Sequence, residues 1–78
     1  VADEQLLTHT LELATRLANG PTFAFAQTKT LIREGAGRSL PEQLQAELAA
    51  GLLCGRSADG AEALRASMEK RPPNFSGK

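Results

Sequence analysis

Three glycine-containing breaks and a double proline divide this sequence into four segments of helical length. The breaks are Asn19-Gly20-Pro21, Gly35-Ala36-Gly37 and Gly55, and the fourth segment ends at Pro72-Pro73. Glycine fits the left-handed position that follows many helices, and proline cannot continue a helix. The 78 residues include 13 Ala and 12 Leu but only one Val and one Ile. Because unbranched side chains favour helices and β-branched ones favour strands, the sequence predicts a single all-α segment. The expected helices span about 3–18, 21–34, 40–54 and 58–70, with a tail at 71–78.

Residues suited to helix ends stand at the expected boundaries. Asp3 is expected to cap the first helix, and Gly20 is expected to take the left-handed position after it. Pro21 is expected to be the first residue of the second helix. Ser39 and Glu42 have the spacing of a capping box, in which each side chain accepts a hydrogen bond from the other residue's backbone N–H. Ser57 is expected to cap the fourth helix.

Each predicted helix carries an apolar stripe that needs a partner. A chain of 78 residues forms a marginal core unless a disulfide, a metal or another chain supports it. With one cysteine, the chain cannot form an internal disulfide. We therefore expect it to depend on a partner, on further copies of itself or on another part of its own protein. The clearest stripe repeats every four residues and consists of Leu40, Leu44, Leu48 and Leu52.

The charge pattern excludes some classes of function. The 9 Lys and Arg residues balance the 9 Asp and Glu residues, and nucleic-acid binders usually carry a basic patch and a high pI. The chain shows no apolar run near the roughly 20 residues that span a bilayer. It also shows no cluster of metal-ligating residues. A single thiol is typical of a reducing compartment, so we expect a cytoplasmic protein that binds neither nucleic acid nor membrane.

Few residues are candidates for chemistry. His9 shares a helix face with polar residues and is interpreted as a solvated surface residue. Cys54 ends a leucine-rich helix and is interpreted as a buried, inert thiol. The glycine-rich segment before Arg38 is interpreted as a helix connector, because it lacks the preceding strand and the Lys-Ser/Thr ending of a phosphate loop. Lys70 and Arg71 have two interpretations: cations favoured at a helix C-terminus, or an anion site for the phosphates of a ligand.

Read in order, several short motifs resemble the C-terminal region of the enoyl-CoA hydratase/isomerase (crotonase) family. No single motif is specific, but their order and spacing cover essentially all of the chain. They are Val-Ala-Asp-Glu-Gln-Leu-Leu at 1–7, Leu-Ala-Asn-Gly-Pro-Thr-Phe at 17–23 followed by Lys29, Glu47, Gly-Arg-Ser-Ala-Asp at 55–59, and Met-Glu-Lys-Arg-Pro-Pro-Asn-Phe-Ser-Gly-Lys at 68–78.

The resemblance implies a role within a larger enzyme. In that family a spiral of ββα turns holds the catalytic groups, and the helical region that follows packs against the spiral and forms much of the trimer contact. The parent would hydrate an enoyl-CoA thioester or move its double bond, in fatty-acid metabolism, with the CoA thioester as substrate and no separate cofactor. This chain would hold no catalytic residue and no metal, and would be inactive alone. Its partners would be the missing N-terminal core, further copies in a trimer or a multiple of one, and acyl-CoA.

The resemblance also assigns residues near the end of the chain. The last family helix commonly reads S-x-D-x-x-E-G-x-x-A-F-x-x-K-R, and its end approaches a bound CoA. Lys70 and Arg71 match the final pair, and Lys70 is the expected contact to a CoA phosphate. Ser67 replaces a Phe that helps to line the acyl pocket in the family, which implies a different or bulkier acyl group. The alternative function is a stand-alone helical module that self-associates through its leucines and has no enzymatic activity. The other matching residues are Ser57, Asp59, Glu62 and Ala66.

Overall fold

The computed structural model describes residues 2–78, which form four α-helices and no β-strand. The all-α fold predicted from the sequence is confirmed. Val1, the first residue of the leading motif, lies outside the described residues. The helices are α1 (Leu6–Ala18), α2 (Thr22–Gly35), α3 (Leu40–Arg56) and α4 (Ala58–Glu69), and one 3-10 turn (Asp3–Gln5) precedes α1.

Two of the predicted helix caps are confirmed. At the start of α3, the Ser39 hydroxyl accepts a hydrogen bond from the Glu42 N–H at 3.3 Å, and the Glu42 carboxylate accepts one from the Ser39 N–H at 2.8 Å. These hydrogen bonds, that from the Ser39 backbone first, hold the pKa of Glu42 below its usual value. At the start of α4, the Ser57 hydroxyl accepts from the Gly60 N–H at 2.9 Å. The two caps supply partners for backbone groups that a helix leaves free at its start.

The first two helices begin later than expected. Asp3 caps no helix, because it lies in the 3-10 turn and its side chain accepts no capping hydrogen bond. Pro21 is the N-cap of α2 rather than its first residue. Gly20 was expected in the left-handed conformation, but it does not have a positive φ. Its lack of a side chain serves packing instead, since a Cβ there would lie 2.7 Å from the ring of Phe25.

Gly55 does not end the third helix. The helix continues through Gly55 to Arg56 and stops where Ser57 adopts an extended conformation with φ −74° and ψ 161°. In that conformation Ser57 closes α3 and caps α4 at once, and its hydroxyl also donates to the Cys54 carbonyl at 2.6 Å. The position of the cap, rather than the glycine, therefore decides where α3 ends.

The helices form an open layer with almost no core. α2 packs on α3 and α3 packs on α4, whereas α1 contacts mainly the 3-10 turn before it. The layer measures 45 × 37 × 17 Å, and its radius of gyration is 15.8 Å. A compact domain of this length would have a radius of gyration of about 11.5 Å. Among the apolar side chains of residues 2–78, only Ala50 and Ala66 are buried. No helix in this range is both long and apolar enough to cross a membrane.

Candidate functional site

The tail after α4 turns back and lies along that helix, held by Asp59. The Asp59 carboxylate accepts hydrogen bonds from the Ser76 N–H at 2.6 Å, the Ser76 hydroxyl at 3.3 Å and the Gly77 N–H at 2.9 Å. The Asp59 N–H donates to the Lys78 carbonyl at 3.1 Å. Asp59 is only 3% exposed. A buried carboxylate is costly unless hydrogen bonds satisfy its oxygens, and here the tail provides those bonds.

A second carboxylate, Glu62, holds the tail one helical turn further along. The Arg71 guanidinium donates to both carboxylate oxygens of Glu62, at 2.6 and 3.1 Å, and the Asn74 N–H donates at 2.8 Å. The Arg71 hydrogen bonds, followed by that from Asn74, lower the pKa of Glu62 to about 2. The same pairing raises the pKa of Arg71. We call Asp59, Glu62 and Arg71, with the tail residues that they hold, the tail latch.

Lys70 lies between α4 and the latch in a conformation unusual for lysine. It has φ 55° and ψ 45°, which is the left-handed helical region. Its N–H donates to the Ser67 carbonyl at 3.3 Å, and the Arg71 N–H donates to the Ala66 carbonyl at 3.0 Å. These are the two hydrogen bonds of a Schellman motif, whose left-handed position is usually glycine. For a residue with a side chain, that conformation costs roughly 1–2 kcal/mol. The Lys70 side chain is exposed, and it makes no ion pair with another residue of the described range.

Besides the tail latch, the structure shows a large exposed apolar surface. The chain has an accessible surface of 6178 Å², whereas a compact monomer of this mass has about 4,600 Å². Leu40, Leu44, Leu48 and Leu52, called the leucine stripe below, are each more than half exposed. A soluble monomer rarely leaves so many large apolar side chains uncovered. The other exposed large apolar residues are Leu6, Leu7, Leu11, Leu13, Leu17, Phe25, Ile32, Leu53, Leu64 and Met68.

Comparison with curated proteins relates the chain to one type of enzyme. No family model matches it. It is 40% identical over all 78 residues to a "probable enoyl-CoA hydratase" of Rhodobacter capsulatus, and equally identical to a 1,2-epoxyphenylacetyl-CoA isomerase of Escherichia coli. In both relatives the match is to the C-terminal part. The chain is thus similar to the C-terminal region of enoyl-CoA hydratase/isomerase proteins. It spans about 30% of the length of each of these relatives.

Two solved structures of enoyl-CoA hydratases also match the chain over about 30% of their own length. A structure of enoyl-CoA hydratase subunit I from Geobacillus kaustophilus superposes with a TM-score of 0.90 and 36% identity. The match covers the whole of this chain and 30% of that one. A second enoyl-CoA hydratase structure from the same organism has a TM-score of 0.89 and 35% identity over 96% of this chain and 28% of that one. The open helical layer is thus the arrangement that this region has within larger enzymes.

The two predicted phosphate-binding residues differ in how free their side chains are to bind a ligand. Lys70 and Arg71 are adjacent in sequence, but the Arg71 guanidinium already pairs with Glu62 and also donates to Glu69 at 3.2 Å. A guanidinium in a bidentate pair has few donors left for a ligand. Lys70 is exposed and makes no ion pair with another of the described residues. Binding of CoA by either residue remains a prediction.

Sequence reasoning gave no role to Asp59 and Glu62. Their actual partners come from the tail, 9 to 18 residues further along the chain. The available signal was that both residues match the same family pattern as the lysine-arginine pair.

The other candidate residues occupy structural positions. His9 is exposed on α1, as expected. Cys54 was expected to be buried but is only half-buried, beside a cavity of about 220 Å³ that Phe75 also lines. The segment before Arg38 is a connector, since Arg38 donates to Glu34 at 3.0 Å and to Gln43 at 3.3 Å and so ties α2 to α3.

Proposed function

We propose that this chain is the assembly region of an enoyl-CoA hydratase/isomerase-type enzyme and that it completes the enzyme's CoA site. The observation that carries the proposal is the exposure of the large apolar side chains of all four helices. Burial of apolar surface supplies most of the free energy of folding. Residues 2–78 bury little of it among themselves, so another surface has to cover these faces.

The covering surface is the remaining part of the enzyme together with further copies of this region. The matched relatives are more than three times as long as the chain, and their matched part is C-terminal. The residues that precede it in those relatives are therefore the first candidates to pack on the leucine stripe. Because the exposed large apolar side chains are spread over all four helices, we assign a second contact to neighbouring copies.

The proposed reaction is hydration of an enoyl-CoA thioester or migration of its double bond. The names of the relatives include both a hydratase and an isomerase. Either reaction develops negative charge on the thioester oxygen, which preorganised backbone N–H groups stabilise. We place those groups outside this chain, which is inactive by itself. Lys70 contributes a cation for a CoA phosphate, with a charge-assisted hydrogen bond as the contact.

A chimera tests the proposal directly. In this chimera the chain replaces the matched C-terminal 30% of the Rhodobacter capsulatus relative. We expect the chimera to form the same oligomer as the intact relative and to hydrate a short-chain enoyl-CoA. The relative shortened by the same 30% is the control, and we expect it to lose both properties.

The outcomes also separate this proposal from a stand-alone module. An assembled and active chimera supports the proposed function. A chimera that neither assembles nor turns over substrate contradicts it. If the 78-residue chain then forms a stable, fully helical oligomer by itself in light scattering, the self-association module becomes the better description.

A further inference from the structure

Lys70 adopts a conformation that glycine would adopt more easily. It is the one residue with a side chain that has a positive φ among residues 2–78. Strained residues of this kind persist when their surroundings hold them, and they occur often at functional sites. Termination of α4 does not require lysine, because glycine forms the same Schellman hydrogen bonds. The side chain is therefore the feature to be explained.

The backbone is fixed on both sides of Lys70. Before it, the last turn of α4 includes Ala66, which is 1% exposed and whose carbonyl accepts from the Arg71 N–H. After it, the Arg71 guanidinium is held on Glu62, which is only 13% exposed at its side chain. Asp59 then holds the far end of the tail through Ser76 and Gly77. Movement of Lys70 to an ordinary φ would redirect the chain and break these contacts.

We infer that Glu62 and Asp59 are positioning residues: through the tail latch they hold Lys70 in the left-handed conformation and present its ammonium group to the phosphate of a CoA ligand. In this arrangement Arg71 anchors the tail and does not bind the ligand. The inference rests on the proposed function, since it concerns the same lysine contact. Its physical basis is preorganisation, because a cation whose backbone is already fixed loses less entropy on binding.

A double-mutant cycle in the chimera tests the inference. The affinity for CoA is measured by calorimetry for the unmodified chimera, Glu62→Gln, Lys70→Ala and the double variant. Glu47→Gln, an exposed glutamate on α3, is the control for loss of one negative charge. We expect Lys70→Ala to weaken CoA binding about 5-fold, the upper end of the range for one exposed ion pair. We expect Glu62→Gln to weaken it about 3-fold, and the double variant to be no weaker than Lys70→Ala alone.

The same variants distinguish positioning from a general structural role. Positioning predicts that Glu62→Gln raises KM and leaves kcat unchanged, and that its effect disappears in the Lys70→Ala background. An equal loss of affinity in both backgrounds would overturn the inference. Where Glu62→Gln fails to fold, Arg71→Lys keeps the charge but removes the bidentate contact. It is then expected to weaken binding only when Lys70 is present.

Failure of the inference and failure of the proposed function give different results. If the chimera is assembled and active and only Lys70→Ala weakens CoA binding, the positioning role of the latch is contradicted, whereas the contact between Lys70 and CoA is supported. An active chimera in which Lys70→Ala changes nothing overturns both the lysine contact and the latch but leaves the assembly role. An inactive, unassembled chimera overturns the proposed function itself.

Discussion

Arg71 and Glu62 form a bidentate ion pair that joins the end of the chain to the middle of its last helix. The two hydrogen bonds measure 2.6 and 3.1 Å, and nine residues separate the partners in sequence. The double prolines that follow Arg71 cannot extend α4. The pair therefore determines the direction in which the chain leaves the helix, and through that direction it determines the place of the tail.

Acid should release this pair over a defined pH range. The pKa of Glu62 is about 2 in the folded chain, against an ordinary value of 4.5. A carboxyl whose pKa is lower when folded stabilises the fold above its unfolded pKa. That contribution is lost as the pH falls from about 4.5 towards 2. Carbon NMR of the carboxyl group should show Glu62 titrating near pH 2.

Removal of the partner provides the control for that titration. In the Arg71→Ala variant, the Glu62 pKa should move back towards 4.5, because the main hydrogen bonds that lower it are gone. The Asn74 amide, which donates to Glu62, reports the release of the tail independently. A Glu62 carboxyl that titrates near 4.5 in the unmodified chain would show that the ion pair does not form in solution.

Lys70→Gly should raise stability and lower ligand affinity together. Glycine adopts the left-handed conformation without the steric cost, so the free energy of unfolding should rise by about 1 kcal/mol. The affinity for CoA should fall as far as in Lys70→Ala, since both variants lack the ammonium group. Thermal melts and calorimetry on the chimera measure the two effects.

The matched control is Lys29→Gly, in the interior of α2 and also exposed. Glycine there should lower the free energy of unfolding by about 1 kcal/mol. Equal destabilisation by both substitutions would contradict the left-handed conformation of Lys70 in solution.

Local sequence signals predicted the helices well because the determinants lie within a few residues of each boundary. The capping box at Ser39 and the cap at Ser57 are formed by hydrogen bonds between residues only three apart in sequence. Gly20 and Gly55 were interpreted incorrectly, because their surroundings rather than their own preferences decide their conformations. Gly20 makes room for the Phe25 ring. Gly55 lies within α3, which continues to Arg56 and is capped by Ser57.

The tail latch could not be predicted from these local sequence signals. Its contacts join Glu62 to Arg71 and Asp59 to Ser76, which neither helical periodicity nor capping rules relate. Side-chain pairs on one helix can be predicted from a spacing of three or four residues. A contact between a helix and a returning tail depends on the turn between them, and that turn contains an unexpected left-handed lysine.

Loss of the capping box should destabilise α3. Ser39→Ala removes the acceptor for the Glu42 N–H, and such a loss costs about 1 kcal/mol. Thermal melts of the chimera by circular dichroism measure the change. Ser67→Ala, on the exposed surface of α4, is the matched control and should be neutral or slightly stabilising. If the two variants melt alike, the capping box does not contribute.

Two glycine-to-alanine substitutions should have opposite signs. A Cβ at Gly60 would clash with the Cys54 carbonyl oxygen, so Gly60→Ala should force α3 and α4 apart. We expect a loss of about 1–3 kcal/mol, as for other overpacked sites. A Cβ at Gly51 would meet nothing within 4 Å, so Gly51→Ala should stabilise α3 by about 0.5–1 kcal/mol. The same melts measure both, and a tolerated Gly60→Ala would contradict the close contact at the α3–α4 junction.

Leu48→Glu should affect assembly far more than the isolated chain. Leu48 is 66% exposed in the leucine stripe, so in the 78-residue chain the substitution should change stability by less than about 0.5 kcal/mol. In the chimera, the proposed function places the Leu48 side chain against another surface.

In that setting Leu48→Glu removes roughly 1.5–3 kcal/mol of apolar burial and adds a charge that burial disfavours. Size-exclusion chromatography with light scattering should show a smaller particle for Leu48→Glu and an unchanged one for the neighbouring Glu47→Gln. A Leu48→Glu chimera of full size and activity would mean that the leucine stripe faces solvent in the assembled enzyme, and the assembly role would then have to be carried by α1 and α4.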